Sequence, residues 1–231
     1  MLRFNDDERT LELGVHDLVD AGPATGHLRL QIAWSARTRM RAGQEAHTTW
    51  QAQRASEDAG FQREVSVHHR VVVRDWEVTI RGRIDGVSEE GDRLVVEELK
   101  SSTLPADRLS RLVVEDVAAW ALQVRLYLWF LEAQGQDAIG RLVVVSLHDG
   151  ARRLIHVPVD PDLEGWVRAQ LDYLLLHREE RIAWRARRQS APVPFPHDAW
   201  RPGQQDMALA TADALRRGRH LLLGAPTGYG K

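Results

Sequence analysis

The sequence predicts an α/β protein in which a mixed β-sheet is flanked by helices. Two observations predict this class. Segments in which apolar and polar residues alternate as in strands are interleaved with segments of helical periodicity, and two of the strand-like segments are joined by a turn-rich stretch. The composition agrees, because 43% hydrophobic and 28% charged residues are ordinary for a globular protein. At 231 residues, the chain is long enough for one sizeable domain and part of another.

The first half of the chain is predicted to contain a helix followed by strands. The helix covers residues 38–58 and places Gly43 and His47, four residues apart, on one face. The strand-like segments that follow are 62–73, 76–85 and 93–100. Residues 88–92 read Ser-Glu-Glu-Gly-Asp, which is typical of a turn, so the last two strands should form a hairpin.

The second half is predicted to begin with an apolar helix over residues 114–133 and a strand pair at 140–147 and 153–159. Asp160 as N-cap and Pro161 at the first helical position then start a long helix that reaches about residue 188. Three prolines within residues 190–197 exclude a helix or a central strand and indicate a linker. The predicted domains are residues 1–189 and 199–231, joined by a linker over 190–198. The second should contain a helix over 202–217 and a short strand over 220–223.

Composition excludes several classes of function. No apolar run approaches the roughly 18 residues that span a bilayer, and the N-terminus lacks an apolar secretion core, so we expect a cytoplasmic protein with no membrane partner. The absence of cysteine excludes disulfides, thiolate zinc sites and cysteine-ligated iron–sulfur clusters within these residues. A net charge of −2 gives no global attraction to nucleic acid, so any DNA contact must use local patches.

Only two of the 31 basic residues are lysines, and each lies in a motif where a compact, rotatable ammonium suits the chemistry better than a planar guanidinium. Lys100 ends Glu98-Leu-Lys100, and Lys231 ends a glycine-rich segment. The two lysines therefore direct attention first to a metal-dependent nuclease signature and second to a phosphate-binding loop.

The nuclease signature depends on two carboxylates of the predicted hairpin. Asp85 ends one strand and Glu98 lies on its partner, so both can converge at one edge of the sheet and hold a hard divalent cation. Alternation along the strand places Glu98 and Lys100 on one face and Glu97 on the other, where it should contact a helix or solvent. A metal held this way lowers the pKa of bound water, while Lys100 positions the nucleophile or stabilises the transition state.

Four segments resemble, in order and spacing, the motifs of RecB-like nucleases of the PD-(D/E)xK superfamily. They are Gly43-Gln-Glu-Ala-His47, Gly82-Arg-Ile-Asp85-Gly, Glu98-Leu-Lys100-Ser and Gln123-Val-Arg-Leu-Tyr127, and the resemblance covers roughly residues 35–150. It implies a restriction-endonuclease-like core with a mixed central sheet. It implies that Mg²⁺ or Mn²⁺ is bound by His47, Asp85 and Glu98, and that the catalytic residues are Asp85, Glu98 and Lys100. Gln123 and Tyr127 would orient the site and contact DNA.

These residues also have simpler interpretations. Glu98 and Lys100 could belong to a solvated strand face, and Tyr127 could be a core residue. Gln123 is harder to explain structurally, because an amide in an apolar helix needs hydrogen-bond partners if it is buried. A stripe of arginines near the end of the long helix is as consistent with a solvated face as with a phosphate track: Arg178, Arg181, Arg185 and Arg188.

The second motif, Ala225-Pro-Thr-Gly-Tyr-Gly-Lys231, follows an apolar stretch and fits a phosphate-cradling loop. Together with residues 200–207 it resembles the start of a superfamily 2 helicase of the XPD/DinG type with a RecA-like motor. The resemblance implies a nucleotide site formed by Arg201, Gln204, Ala225, Thr227, Gly228, Gly230 and Lys231. The Ser or Thr that should follow Lys231 is not in the sequence, so we expect the C-terminal motor, and its need for ATP, to belong to a longer protein.

Together, the motifs predict a Mg²⁺- or Mn²⁺-dependent nuclease acting on single-stranded or branched DNA as an accessory domain of an ATP-dependent helicase in DNA repair. The alternative is an inactive nuclease fold that only binds DNA for the helicase. A stand-alone NTPase is not supported, because no second acidic metal-binding motif or arginine finger follows Lys231 in the sequence.

Overall fold

The computed structural model describes residues 2–20, 33–190 and 199–224. The chain divides into two compact units, the first ending at Glu180 and the second beginning at Arg181. None of the described helices is both long and apolar enough to cross a membrane.

The described part of the first unit contains seven strands: β1 (Arg3–Asn5), β2 (Thr10–Gly14), β3 (Gln62–Val73), β4 (Trp76–Glu90), β5 (Arg93–Ser102), β6 (Ala138–Ser146) and β7 (Arg152–Val157). Its helices are α1 (Val15–Asp20), α2 (Ala33–Glu57), α3 (Ala106–Leu109), a 3₁₀ turn at Val114–Val117, α4 (Ala118–Glu132) and most of α5 (Leu163–Ser190). The described part of the second unit contains the end of α5 and α6 (Gln204–Arg216).

The strands form one mixed sheet in the order β1-β2-β4-β5-β6-β7, with β3 paired to the other edge of β4. β4 is antiparallel to β3 and β5 and parallel to β2, and β5 is parallel to β6. The mixture follows from the connections, because tight turns join β3 to β4 and β4 to β5, whereas α4 forms the crossover from β5 to β6. The predicted α/β class with a mixed sheet between helices is confirmed.

Apolar side chains cover the two faces of the sheet unequally. The larger cluster joins the sheet to α4 and to the first turns of α5, with Val124, Phe130, Val167 and Leu171 fully buried. The smaller cluster lies under α2 and contains Trp50, Phe61, Leu99, Val143 and Val145. Helix α2 therefore covers only part of its face, and the rest of that face, on β3, β4, β2 and β1, carries polar residues.

Several predicted boundaries differ from the structure. β4 continues to Glu90, so the hairpin turns at Gly91 and Asp92, and Gly91 adopts φ +63°, which glycine allows at low cost. Helix α5 begins at Leu163 rather than Pro161, because the Asp160 carboxylate accepts the Asp162 N–H and the Asp160 carbonyl accepts the Leu163 N–H, which forms a turn before the helix.

The strand predicted over residues 220–223 is absent from the described part of the second unit. A strand needs a hydrogen-bonded neighbour, and no described residue pairs with this segment; Leu222 is 98% exposed. The N-terminal elements β1, β2 and α1 were not predicted, because three to six residues are too short to display a clear period.

Candidate active site in a gap of the sheet

The candidate site lies where one edge of β4 changes partner. The first half of β4 pairs with β2 up to Gly14 and Arg81, and its second half pairs with β5 from Gly86 and Glu97. Between these points, residues 82–84 pair only with β3, and Asp85 has no ladder partner on either side. The sheet is therefore open on one side of β4 over four residues.

A cavity of about 450 Å³ occupies this gap. It is lined by the end of β2, the start of α1, and side chains of α2, β4, β5 and α4: Gly14, Val15, His16, Asp17, His47, Arg81, Gly82, Arg83, Asp85, Glu98, Leu99, Lys100, Gln123 and Tyr127. The six residues for which the sequence predicts metal, catalytic or DNA roles in the nuclease motifs all line this one cavity.

Asp85 completes the hydrogen bonding of the open edge. Its Oδ2 accepts a hydrogen bond from the backbone N–H of Leu99 at 2.9 Å. In a continuous sheet, this N–H would donate to a backbone carbonyl of the adjacent strand. Its Oδ1 lies 2.9 Å from His47 Nε2 on α2. Because Leu99 belongs to β5, the carboxylate bridges the two strands and α2 at the point where the strands separate.

Two glycines bring the surrounding elements close together. A Cβ at Gly82 would overlap the ring of Tyr127, and a Cβ at Gly86 would overlap the ring of Phe61. Gly86 and Asp85 both face α2 although they are consecutive, so the alternation of the strand is interrupted at Asp85. This interruption turns the Asp85 carboxylate towards His47.

Glu64 is a candidate site residue that the sequence analysis missed. The register of β3 and β4 places it opposite Asp85, where the ladder is interrupted and Glu64 adopts φ +57°. Such a conformation is costly for a residue other than glycine, and strained residues of this kind cluster at functional sites. Predicting a tight two-residue turn at 74–75 from the sequence would have revealed that Glu64 lies opposite Asp85. With such a turn, pairing of Val73 with Trp76 aligns residue 64 with residue 85.

The buried amide of Gln51, one helical turn after His47, holds this region together. Gln51 Nε2 donates to Glu64 Oε1 at 3.1 Å and to the Asp85 carbonyl at 2.8 Å. Glu64 Oε2 pairs with Arg83 Nε at 2.6 Å. Among the described residues, the metal-ligating atoms that lie within 4.8 Å of one another belong to His47, Glu64 and Asp85.

On the other side of the gap, Glu98, Lys100, Gln123 and Tyr127 form one network. Lys100 Nζ donates to Glu98 Oε1 and to Gln123 Oε1, both at 2.8 Å. Gln123 Nε2 donates to Glu98 Oε1 at 2.7 Å and to Tyr127 Oη at 2.8 Å. The Tyr127 hydroxyl donates to the Arg83 carbonyl at 3.0 Å, which satisfies a backbone acceptor of the open edge.

The neighbouring carboxylate, Glu97, points the other way. It accepts a hydrogen bond from Arg54 Nε of α2 at 2.9 Å and is 3% exposed. The structure thus places Glu98 and Lys100 on the α4 side of β5 and Glu97 on the α2 side, where it contacts a helix.

Glu98 is buried with an incomplete set of partners. It is 2% exposed, and its Oε2 has no hydrogen-bond partner among the described residues. Burial raises the pKa of Glu98 to about 7, against the lowering effect of the Lys100 ammonium, and the Asp85 charge raises it further. Burial also raises the pKa of the Tyr127 hydroxyl, which therefore acts as a neutral donor.

These residues fit a hard divalent cation. The Asp85 carboxylate, whose Oδ1 contacts the His47 imidazole, and the Glu64 carboxylate form an oxygen-rich group with one nitrogen. The buried Glu98 oxygen without a donor lines the same cavity but does not belong to this group. PD-(D/E)XK nucleases use divalent metals, and His47, Glu64 and Asp85 are positioned to hold one.

Two residues of the second motif lie in the described part of the second unit. Arg201 and Gln204 belong to the second unit, where the Arg201 N–H donates to Gln204 Oε1 at 3.0 Å. The remaining predicted nucleotide-binding residues lie outside the described part of the chain: Ala225, Thr227, Gly228, Gly230 and Lys231.

Comparison with known proteins identifies the family. The crystal structure of SSO0001 aligns over 74% of this chain and 78% of its own, with 21% identity and a TM-score of 0.47. A "putative exonuclease" from Eubacterium rectale aligns over 78% of this chain and 62% of its own, with 12% identity and a TM-score of 0.31. A search of curated proteins gave no match. The family model for the PD-(D/E)XK nuclease superfamily matches residues 4–218, and the chain therefore belongs to this superfamily.

Proposed function

We propose that the chain is a Mg²⁺- or Mn²⁺-dependent nuclease that hydrolyses phosphodiester bonds in single-stranded or branched DNA. The observation that carries the proposal is the cavity in the sheet gap, where the Lys100 ammonium lies against Glu98 and Gln123 and the His47–Asp85 pair lines the same space. A cation site beside a fixed ammonium suits metal-assisted phosphodiester hydrolysis.

The proposed ligands are His47, Asp85 and Glu98, with Glu64 as a further carboxylate beside the first two. The bound cation would lower the pKa of a water molecule and neutralise phosphate charge. The Leu99 N–H donates a hydrogen bond to Asp85 Oδ2, so this carboxylate is oriented before any cation binds.

Lys100 is proposed to act on the transition state. Two of its three donors are used by Glu98 and Gln123, which leaves one for a phosphate oxygen or the attacking water. Gln123 fixes both partners of this contact, because its oxygen accepts from Lys100 while its nitrogen donates to Glu98. Gln123 and Tyr127 are also the proposed DNA-contacting residues, and both line the cavity.

The link to a helicase is a second part of the proposal. We assign residues 1–189 to the nuclease, 190–198 to a linker and 199–231 to the start of an XPD/DinG-like motor, with the DNA-repair role of an accessory nuclease. The family match continues to residue 218 and so also includes α6. These 231 residues contain no second acidic metal-binding motif or arginine finger after the glycine-rich segment, so we expect no DNA-stimulated ATP hydrolysis from the chain itself.

The test compares wild type with Lys100→Ala on labelled single-stranded, flapped and duplex DNA at matched salt, with Mg²⁺, Mn²⁺ or excess EDTA. We expect metal-dependent cleavage by wild type and none by the variant, while both bind DNA. If wild type binds DNA but cuts none of the three substrates, the alternative of an inactive DNA-binding module is favoured. Cleavage that persists in Lys100→Ala would show that the active site lies elsewhere.

A further inference from the structure

Both carboxylate oxygens of Glu64 have a donor in the structure. Gln51 Nε2 donates to Oε1 at 3.1 Å, and Arg83 Nε lies 2.6 Å from Oε2. One oxygen of Glu64 also belongs to the group of ligand atoms that it forms with His47 and Asp85, which we call the ligand group. A cation bound by the ligand group therefore meets a carboxylate that is already paired with a guanidinium.

The two donors to Glu64 differ in how firmly they are held. Gln51 is buried, and its Nε2 also donates to the Asp85 carbonyl at 2.8 Å. The Arg83 side chain is 69% exposed, and Glu64 is the one side chain of the described residues that pairs with it. Exposed ion pairs contribute little to stability, whereas a buried amide without its acceptors leaves donors unsatisfied. Arg83 is therefore the donor that can leave Glu64 at low cost.

The backbone holds Glu64 itself in place. Glu64 adopts φ +57°, and its two neighbours in β3 are both paired with β4. A residue other than glycine keeps such a conformation only where the surrounding structure fixes it. The carboxylate therefore stays beside Asp85, and the long, exposed side chain of Arg83 is the part of the ion pair that can move.

Arg83 also reaches the cavity. It belongs to the cavity lining together with His47 and Asp85, whereas Glu64 does not. The Tyr127 hydroxyl donates to the Arg83 carbonyl at 3.0 Å, so the backbone of Arg83 is fixed at the gap while its side chain is exposed. A guanidinium released from Glu64 therefore has the cavity next to it, and arginine binds phosphate through two parallel hydrogen bonds.

We propose that Arg83 exchanges partners when the cation binds, so that it leaves Glu64 and binds a phosphate oxygen of the nucleic-acid substrate in the cavity. A divalent cation beside Glu64 repels the guanidinium and neutralises the carboxylate, and both effects favour the exchange. The inference rests on the proposed nuclease function and adds a coupling to it. Through Arg83, the cation strengthens the binding of the substrate, and by linkage the substrate strengthens the binding of the cation to the same degree.

The first measurement is the Mn²⁺ affinity of the full chain without DNA, by calorimetric titration. Arg83→Ala removes the positive group that competes with the cation for Glu64. The variant should therefore bind Mn²⁺ about two- to fivefold more tightly than wild type, which is the range expected for an exposed ion pair. A residue that served only to bind substrate would leave the affinity for the cation alone unchanged.

The matched control is Arg81→Ala. Arg81 lines the same cavity and is similarly exposed, at 61%, but it pairs with Glu12, which lies outside the ligand group. Arg81→Ala should therefore bind Mn²⁺ nearly as wild type does. The control removes the same charge from the same strand, so it separates competition for Glu64 from a general effect of positive charge near the cation.

The second measurement is DNA affinity, by fluorescence anisotropy of labelled oligothymidine in Lys100→Ala protein, with the oligonucleotide shown to be intact afterwards. Adding Arg83→Ala should weaken binding roughly 10-fold in Mn²⁺, because a charge-assisted contact to phosphate is lost. In excess EDTA the same substitution should have little effect, because Arg83 remains paired with Glu64.

The proposal is wrong if Arg83→Ala binds Mn²⁺ no more tightly than wild type, or if Arg81→Ala tightens Mn²⁺ binding as much. It is also wrong if loss of Arg83 weakens DNA binding equally in Mn²⁺ and in EDTA. Cleavage by the otherwise wild-type chain tests the proposed function separately. A chain that shows the exchange but cuts no substrate would keep the coupling and lose the nuclease activity.

Discussion

The Asp85 carboxylate accepts the backbone N–H of Leu99 at 2.9 Å, at the place where β4 and β5 stop pairing. A residue proposed to bind the metal thus also replaces a missing bond of the sheet. Loss of its charge and loss of its hydrogen bond can therefore be separated by mutation.

Asp85→Asn keeps an oxygen that can accept the Leu99 N–H, whereas Asp85→Ala leaves this buried donor without an acceptor. We expect Asp85→Ala to lower the free energy of unfolding by about 1–3 kcal/mol and Asp85→Asn to lower it much less. Loss of an outer-shell metal partner lowers activity roughly 10–100-fold. Both variants should lose more cleavage activity than this, because Asp85 is a proposed direct ligand. Urea unfolding and cleavage rates measure the two effects. Equal stability of the two variants would contradict the structural role of the carboxylate.

The metal requirement should reflect the oxygen-rich ligand set. Mg²⁺ or Mn²⁺ should support cleavage, and Ca²⁺ should bind without turnover, because its loose coordination is poorly suited to activating water. Calorimetric titration and cleavage assays with each ion test this expectation. Undiminished cleavage in excess EDTA would contradict it.

Glu64→Gln tests whether the missed carboxylate takes part. One of its carboxylate oxygens lies in the cluster of ligand atoms with His47 and Asp85, so the variant should bind Mn²⁺ more weakly than wild type. Glu57→Gln, on the exposed end of α2, is the matched control and should bind as wild type does. Equal Mn²⁺ affinity of Glu64→Gln and wild type would leave the ligand set as His47, Asp85 and Glu98.

Lys100→Arg should restore little of the activity lost in Lys100→Ala. Deletion of one transition-state donor costs roughly 100- to 1000-fold, and a planar guanidinium cannot fit where Glu98 and Gln123 hold a compact ammonium. Single-turnover rates at saturating DNA measure the effect on chemistry apart from binding. A Lys100→Arg variant as fast as wild type would show that only positive charge is needed at this position.

The raised pKa of Glu98 predicts how stability depends on pH in the absence of metal. The folded chain holds a proton on this carboxyl up to about pH 7, whereas the unfolded chain loses it near the ordinary value of 4.5. The stabilising contribution of Glu98 to the free energy of unfolding is therefore fully present below about pH 4.5 and is lost as pH rises through 7. The loss is at most about 3 kcal/mol. Urea unfolding in EDTA across this range, compared with Glu98→Gln, measures it. A wild-type profile parallel to that of the variant would be evidence against a neutral buried Glu98.

The sequence predicts the parts of the site that depend on local periodicity. Alternation along β5 is sufficient to separate Glu97 from Glu98, and helical spacing is sufficient to place Gln123 and Tyr127 one turn apart. The gap itself depends on parallel pairing between β2 and β4, whose paired residues are 67 positions apart, as for Thr10 and Glu77. No local pattern indicates such pairing. The candidate residues that line the cavity could therefore be named from the sequence, whereas the opening that brings them together could not.

The opening also limits how the molecule can be stabilised. A sheet becomes more stable when adjacent strands pair along their full length, and here the shortest extension would carry β5 alongside residues 82–85. That extension would displace the Asp85 carboxylate from the Leu99 N–H, release the Tyr127 hydroxyl from the Arg83 carbonyl and fill the cavity with backbone. Selection for a more regular sheet would therefore act directly against the site, and thermostable variants should gain their stability elsewhere in the chain.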